Sequence, residues 1–124
     1  MTRTTGSLLV TDLAVSLGLG ISACSKSGQY GERIPGDMPI VKLKDIASNA
    51  KAFKDKEVLL AGNYGGVCCP SDFTYKEGLE GVEVTPKGFA SPNVDTGKPM
   101  RLYAVVRLGK QGEFFLEAKG VELR

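Results

Sequence analysis

Apolar side chains occupy every second position over much of the last quarter of the chain. These positions are Met100, Leu102, Ala104, Val106 and Leu108, followed by Phe114, Leu116 and Ala118. A two-residue period is typical of a β-strand with one face against a core. Residues 109–112, Gly-Lys-Gln-Gly, favour a turn between the two runs. The pattern predicts a β-hairpin whose long first strand is half-buried, and Gly120 is expected to bend the second strand.

Shorter strand signals precede this hairpin. They lie at residues 58–62, 73–75 and 82–84. Proline and glycine residues between 86 and 97 indicate an irregular connection, and the 16 glycines of the chain favour turns and short strands over long helices. Five short strands leave exposed edges unless the sheet closes on itself. We therefore predict a mainly β fold, built as a small five-stranded barrel.

One short helix is expected ahead of the barrel. Apolar side chains recur there at helical spacing, and the opposite face is polar. The apolar residues are Leu43, Ile46, Ala47, Ala50 and Phe53. This pattern predicts a single helix over about residues 42–53.

The first 24 residues resemble a bacterial export signal. Residues 13–21 form an uncharged, mostly apolar stretch that fits a signal peptide and is too short to span a bilayer. The following Ile21-Ser22-Ala23-Cys24 resembles the lipobox of bacterial lipoproteins, in which the cysteine thiol accepts a diacylglycerol group. The resemblance implies that residues 1–23 are a signal peptide and that Cys24 is lipidated. The location implied is the cell envelope, with a membrane anchor on the outer, periplasmic or extracellular, side.

A polar, glycine-rich segment follows this cysteine. Residues 24–39 have the composition of a flexible linker, so the folded domain is expected at residues 40–124. Two features depart from a good signal: Arg3 is the only basic side chain ahead of the apolar stretch, and Asp12 interrupts a longer apolar run. The alternative is an amphipathic or disordered N-terminal arm that contains an incidental cysteine.

Charge and residue types disfavour several functions. The formal net charge is +2, from 16 basic and 14 acidic side chains, which is too little to hold a polyanion against physiological salt. The chain has no histidine, the commonest general base and metal ligand. It also has no P-loop, dinucleotide-binding or nucleophile-elbow motif. The sequence argues against a dedicated nucleic-acid binder and favours a non-enzymatic domain.

Several short motifs carry a resemblance to a known family. They are Asp45-Ile46, Asn49, Phe53, Lys56-Glu57-Val58, Gly62 and residues 117–123, Glu-Ala-Lys-Gly-Val-Glu-Leu. Their succession is similar to that of the small OB-fold domains of bacterial envelope lipoproteins, often described as tRNA-anticodon-binding-like. The resemblance implies an OB-like barrel that binds ligands at its rim. OB domains usually place a helix between their third and fourth strands, whereas the proline and glycine residues from 86 to 97 disfavour one there.

Cys68 and Cys69 are adjacent on the connection between the first two predicted strands. Their Cα atoms lie about 3.8 Å apart across a trans peptide, so a disulfide between them would be strained and easily reduced, which suits a redox switch. Alternatively, the two thiolates hold a thiophilic metal, copper or zinc, together with Asp72 and an outside ligand. The remaining alternatives are a structural pair packed beneath the barrel end and a disulfide to another chain.

Other polar side chains are candidates for ligand binding. Tyr75, at the end of a short predicted strand, and the following Lys76 and Glu77 are candidates to line a binding face, and Arg101, Tyr103 and Arg107 share the more polar face of the long strand. We predict an envelope lipoprotein whose OB-like barrel binds a small ligand, a metal or an envelope protein without catalysis. The alternatives are a thiol-redox or metal-handling protein that uses the cysteine pair, and an oligonucleotide-binding module.

Overall fold

The computed structural model describes residues 28–67 and 71–124, so the predictions for Cys24, Cys68 and Cys69 lie outside the described residues. The elements are β1 (Gln29–Gly31), α1 (Leu43–Ser48), α2 (Ala50–Phe53), β2 (Glu57–Val67), β3 (Phe73–Glu77), β4 (Glu80–Pro86), β5 (Pro99–Leu108) and β6 (Phe114–Leu123). Within the two described ranges, no helix combines the length and the apolar character that crossing a membrane requires.

Strands β2 to β6 form a closed barrel. From β6 the order of neighbours is β4, β3, β2 and β5, and β5 pairs again with β6 to close the sheet. All neighbouring barrel strands are antiparallel except β4 and β6, which are parallel. Closure removes the edges that five separate short strands would expose. The predicted mainly β fold with a small five-stranded barrel is confirmed.

The predicted hairpin corresponds to β5 and β6. Their pairing shifts once, between Tyr103 and Ala104, where Lys119 of β6 has no residue opposite. This bulge lies directly beside Gly120, where the sequence predicts a bend. β5 is more buried than expected, because Tyr103 and Val105 on its outer face are buried as well. Lys119 covers the tyrosine, since its Nζ lies 5.0 Å from the centroid of the Tyr103 ring.

A short strand from the predicted linker completes the pairing of β6. β1 pairs with residues 120–122 of β6, directly beyond the stretch that β4 covers. β4 ends at Pro86, opposite Ala118, and proline lacks the N–H that would continue the ladder. After β1, Glu32 donates its N–H to the carbonyl of Lys119 at 2.7 Å. The sheet therefore begins before the domain boundary that the sequence predicts at residue 40.

The helix expected over residues 42–53 is observed as two short helices, α1 and α2. Asn49 separates them with φ −151° and ψ 53°, and its N–H bonds to the carbonyl of Ile46. Asparagine competes with helical hydrogen bonds through its own side chain, which favours a break at this position. Leu43 and Ile46 of α1 are buried in the barrel core, as their spacing predicts, whereas Ala47 is exposed.

β2 is longer than the strand predicted at residues 58–62. Its first half pairs with β5 and its second half pairs with β3. Gly65 and Gly66 together oppose Thr74, and Gly66 has a φ of 95°, which side chains rarely adopt. The glycine pair thus forms a bulge inside the strand.

Residues 87–98 form the irregular connection that the sequence predicts, and no helix lies within them. Tyr64 of β2 holds this connection: its N–H bonds to the Lys98 carbonyl at 2.9 Å and its carbonyl accepts the Gly97 N–H at 2.7 Å. The Tyr64 hydroxyl, buried in the barrel, donates to the carbonyl of Pro92. The connection is thereby fixed along the middle of β2.

Candidate functional site

The structure describes only the residues that flank the predicted metal or redox site. Cys68 and Cys69 lie outside the described residues, between Val67 at the end of β2 and Ser71. Asp72 precedes β3 and is half-buried, and its Oδ1 lies 3.4 Å from the Ser71 hydroxyl that donates to it. Within residues 28–67 and 71–124, no three histidine, cysteine or carboxylate side chains are grouped so that they could hold a metal ion.

Asp72 faces a second carboxyl group on the neighbouring strand. Thr74 of β3 pairs with Glu83 of β4, which brings Glu83 beside Asp72. A hydrogen bond between the two carboxyls and the negative charge of Asp72 raise the pKa of Glu83. Such a pair favours a bound proton or cation between its oxygens.

Tyr75 lies inside the barrel and not on a ligand-binding surface. Its side chain is fully buried, and its hydroxyl donates to Oε2 of Glu77 at 2.5 Å. Burial and this hydrogen bond raise the pKa of Tyr75, so the hydroxyl stays protonated. Phe73 is buried two positions earlier, and this two-residue spacing is the sequence signal that places Tyr75 inward. The observed position argues against the predicted role of Tyr75 in ligand binding.

Tyr103 belongs to a polar cluster on the outer face of the barrel. Its hydroxyl donates to Oε1 of Glu57 at 2.7 Å, and Lys119 Nζ donates to Oε2 of the same carboxylate at 2.6 Å. The hydrogen bonds from Lys119 and then Tyr103 lower the pKa of Glu57. The hydrogen bond to Glu57 in turn raises the pKa of Tyr103 and of Lys119. The cluster joins β2, β5 and β6 across the outside of the sheet.

Arg101 and Arg107 lie on the same face, and each forms ion pairs with carboxylates. Arg101 contacts Glu122 of β6 at 3.2 Å, and Arg107 contacts Asp55 at 2.7 Å and Glu117 at 3.0 Å. The hydrogen bonds to Asp55 and then Glu117 raise the pKa of Arg107. The structure thus brings the three predicted β5 residues onto one outer face, where their polar groups are bonded to carboxylates of the same chain.

A cleft of about 400 Å³ lies between β2, β3 and the connection that precedes β5. Its lining residues are Asn63, Tyr64, Gly65, Lys76, Gly78, Thr96 and Gly97. The Asn63 side-chain amide donates to the Gly97 carbonyl at 2.9 Å and holds the loop wall against β2. We call this feature the Lys76 cleft.

The floor of the Lys76 cleft is open because Gly65 has no side chain. A Cβ at Gly65 would lie 3.0 Å from side-chain atoms of both Lys76 and Thr74. Lys76 forms no ion pair with any other residue in the described ranges. The cleft therefore combines one basic side chain, unpaired among the residues that the structure describes, with otherwise uncharged walls. Sequence reasoning included Lys76 among the binding candidates but missed Gly65, for which the Gly65-Gly66 pair was the available signal.

The fold and the cleft define a small closed β-barrel with a polar groove on its side. In comparisons with known proteins, no family model matches the chain and no curated protein matches it. The relationship to OB-fold envelope lipoproteins, suggested by short motifs, stays a prediction.

Proposed function

We propose that this chain is an envelope lipoprotein whose barrel acts as a non-enzymatic, OB-like binding domain. Cys24 carries the lipid anchor after removal of residues 1–23, and the barrel lies at the outer face of a bacterial membrane. The ligand is a small molecule with a carboxylate or phosphate group, and it binds in the Lys76 cleft. An envelope protein that presents such a group on an extended segment would fit the same description.

The observation that carries the binding proposal is the position of the Lys76 cleft on the barrel. It lies against β2 and β3, the first two barrel strands, and β2 leads directly into the connection between them. OB domains bind ligands with their second and third strands and with the loop between the first two. The cleft shares one strand, β3, with the surface that an OB-like barrel would use, and its other walls are β2 and residues 96–97.

The chemistry of the lining supports binding in preference to catalysis. Lys76 offers three ammonium donors to an anion. Tyr64 is the other ionisable residue of the lining, and burial raises its pKa while its hydroxyl bonds to Pro92. A cleft of about 400 Å³ is the size of small-molecule sites. A small anion held by the ammonium group of Lys76 is the simplest occupant.

Titration of the isotope-labelled processed chain in detergent, followed by NMR, tests this site. The probes are inorganic phosphate and acetate, added separately. We expect the amide signals of Gly65, Lys76 and Gly97 to shift together with saturation. Lys76→Gln should weaken binding about tenfold or more, because it removes a charge-assisted hydrogen bond. Gly65→Ala should weaken it by filling the floor.

Two matched variants control this titration. Lys110→Gln removes the same charge from the exposed turn between β5 and β6. Gly36→Ala adds a methyl group at a position where a Cβ meets no atom within 4 Å. Both should bind like the unaltered chain. Equal losses in Lys76→Gln and Lys110→Gln, or an absence of saturable shifts, would contradict the cleft as the binding site.

A second candidate function is metal or thiol-redox handling by the cysteine pair. The observation that favours it is the Asp72–Glu83 pair, in which the pairing of β3 with β4 brings two carboxyl groups within hydrogen-bonding reach of each other. Asp72 also follows Cys69 by only three positions. Two thiolates and a carboxylate suit zinc, and the thiolates alone suit Cu(I).

Elemental analysis and thiol titration of the extracted protein test this second candidate. Bound zinc or copper that is reduced in Asp72→Asn would support metal handling. A reductant-dependent gain of two thiols, without metal, would support a redox switch. Two freely reacting thiols at Cys68 and Cys69, with no bound metal, would contradict both.

A further inference from the structure

We propose that the anion bound in the Lys76 cleft is a 2-hydroxy acid, an inference that rests on the proposed binding function and names its ligand class. The observation that carries it is the pairing of Asn63 with Lys76. The two residues are direct partners in the register of β2 with β3, and both line the cleft. Directly opposed side chains of antiparallel strands lie on one face of the sheet, with their Cβ atoms about 5 Å apart. The cleft therefore has an amide side chain and an ammonium side chain on adjacent strands.

The orientation of the Asn63 amide is fixed by the loop wall of the cleft. Its Nδ2 donates to the Gly97 carbonyl at 2.9 Å, so the nitrogen of the amide faces the loop. Its Oδ1 accepts no hydrogen bond from any residue within 28–67 and 71–124. An amide oxygen accepts hydrogen bonds from hydroxyl groups, and an ammonium group only donates them. Asn63 thus offers an acceptor, and Lys76 offers donors, to the same occupant.

The strands on both sides of Lys76 carry no competing acid next to it. Gly65 of β2 and Gly81 of β4 flank its side chain: a Cβ built at Gly65 would lie 3.0 Å from Cγ of Lys76, and one built at Gly81 would lie 3.6 Å from it. The other side chains that line the cleft are uncharged at neutral pH, namely Asn63, Tyr64 and Thr96. The negative charge that balances Lys76 in the cleft must therefore come from the ligand.

A 2-hydroxy acid complements both side chains. Its carboxylate accepts from the ammonium group of Lys76, and its hydroxyl, on the neighbouring carbon, donates to Oδ1 of Asn63. A simple carboxylate such as acetate has no hydroxyl for the amide oxygen, and a neutral polyol has no charge for the ammonium group. One hydrogen bond between uncharged groups changes an affinity about fivefold. Asn63 should therefore determine a preference of this size for the hydroxylated acid.

The NMR titration of the isotope-labelled processed chain tests this preference with three acids. They are acetate, glycolate, which is acetate with a 2-hydroxyl group, and gluconate, a 2-hydroxy acid with a sugar-like chain. We expect glycolate to bind about fivefold more tightly than acetate. Lys76→Gln should weaken both by the same factor, because it removes only the contact with the carboxylate.

Asn63→Ala should abolish the preference for glycolate and leave the affinity for acetate nearly unchanged. The loop wall should remain in place in this variant, because Tyr64 also holds Gly97 and Lys98 through two backbone hydrogen bonds. Asn93→Ala is the matched control: it removes an exposed asparagine from the same connection and should keep the preference. Thr96→Val, which removes the other neutral hydroxyl that lines the cleft, should keep it as well.

The outcomes separate this inference from the proposed function. Equal affinities for acetate and glycolate would overturn the 2-hydroxy acid and leave anion binding in the cleft intact, whereas saturable shifts with none of the three acids would overturn both. A preference that survives in Asn63→Ala and is lost in Thr96→Val would overturn the role of Asn63. Where the preference is observed, tighter binding of gluconate than of glycolate identifies a sugar acid as the source of this chemistry, and weaker binding identifies a short hydroxy acid.

Discussion

Glu77, at the end of β3, accepts the backbone N–H of Leu43 with both carboxylate oxygens, each at 3.1 Å. Leu43 is the first residue of α1, so this contact satisfies an N–H that has no partner within the helix. The same carboxylate accepts the buried hydroxyl of Tyr75. One side chain thus connects the helix, the third strand of the chain and the barrel interior.

Replacing Glu77 with alanine should destabilise the fold. The change leaves the Leu43 N–H and the buried Tyr75 hydroxyl without a partner, which costs about 1–3 kcal/mol. Urea unfolding measures the difference in the free energy of unfolding. Glu80→Ala, on the exposed far side of the same hairpin, is the control and should change this free energy little. Equal stability of the two variants would contradict the connecting role of Glu77.

Gly120→Ala should displace β1 from β6. A Cβ at Gly120 would collide with the backbone carbonyl of Glu32, which cannot rotate away as a side chain can. We expect a loss of about 1–3 kcal/mol, as for other overpacked sites, and faster hydrogen exchange at residues 28–32. Gly36→Ala is the matched control, since a methyl group there meets open space. Unchanged exchange at residues 28–32 in Gly120→Ala would show that β1 does not depend on this close approach.

The barrel could be predicted from the sequence where the pattern is local. The alternation from Met100 to Leu108 marks one strand face without reference to the rest of the chain, and Gly120 marks the bend beside it. Closure followed from the number of short strands, because unpaired edges are unfavourable. These features depend on neighbours in sequence or on a general rule, so no distant contact had to be known.

The features that were not predicted depend on distant partners. The strand at Gln29–Gly31 has no alternation of its own and exists because β6 offers an edge beyond Pro86. The Lys76 cleft requires Gly65 and Thr96, which the fold brings together from 31 positions apart. Arg101 and Arg107 look free in the sequence, and their carboxylate partners lie far along the chain, on β6 for both arginines and before β2 for Arg107.

The cluster around Glu57 should make the fold less stable in acid. Contacts with Lys119 and Tyr103 lower the pKa of Glu57 in the folded state, so the unfolded chain binds its proton more readily. The stabilisation is present above the ordinary carboxylate pKa and is lost as the pH falls through the lowered value. Unfolding in urea between pH 6 and pH 3 measures this loss. The advantage of the unaltered chain over Glu57→Gln should shrink toward low pH, and a constant difference would contradict the proposed interaction.

The Asp72–Glu83 pair should have the opposite pH dependence. The pKa of Glu83 is raised in the folded state, so the folded chain binds this proton more tightly than the unfolded chain does. Stability contributed by the protonated pair is lost as the pH rises from the ordinary carboxylate pKa through the raised one. Asp72→Asn removes the repulsion. The free energy of unfolding of this variant, relative to that of the unaltered chain, should therefore be higher at pH 7 than at pH 4. A gain of the same size at both pH values would argue against a shared proton.

The proposed lipid anchor at Cys24 is the claim on which the proposed location depends. Intact-mass spectrometry of the protein extracted from bacterial membranes tests it most directly. We predict a chain that begins at Cys24, lacks residues 1–23 and carries the added mass of a diacylglycerol group. An unmodified chain that begins at Met1 and is recovered in the soluble fraction would contradict the account.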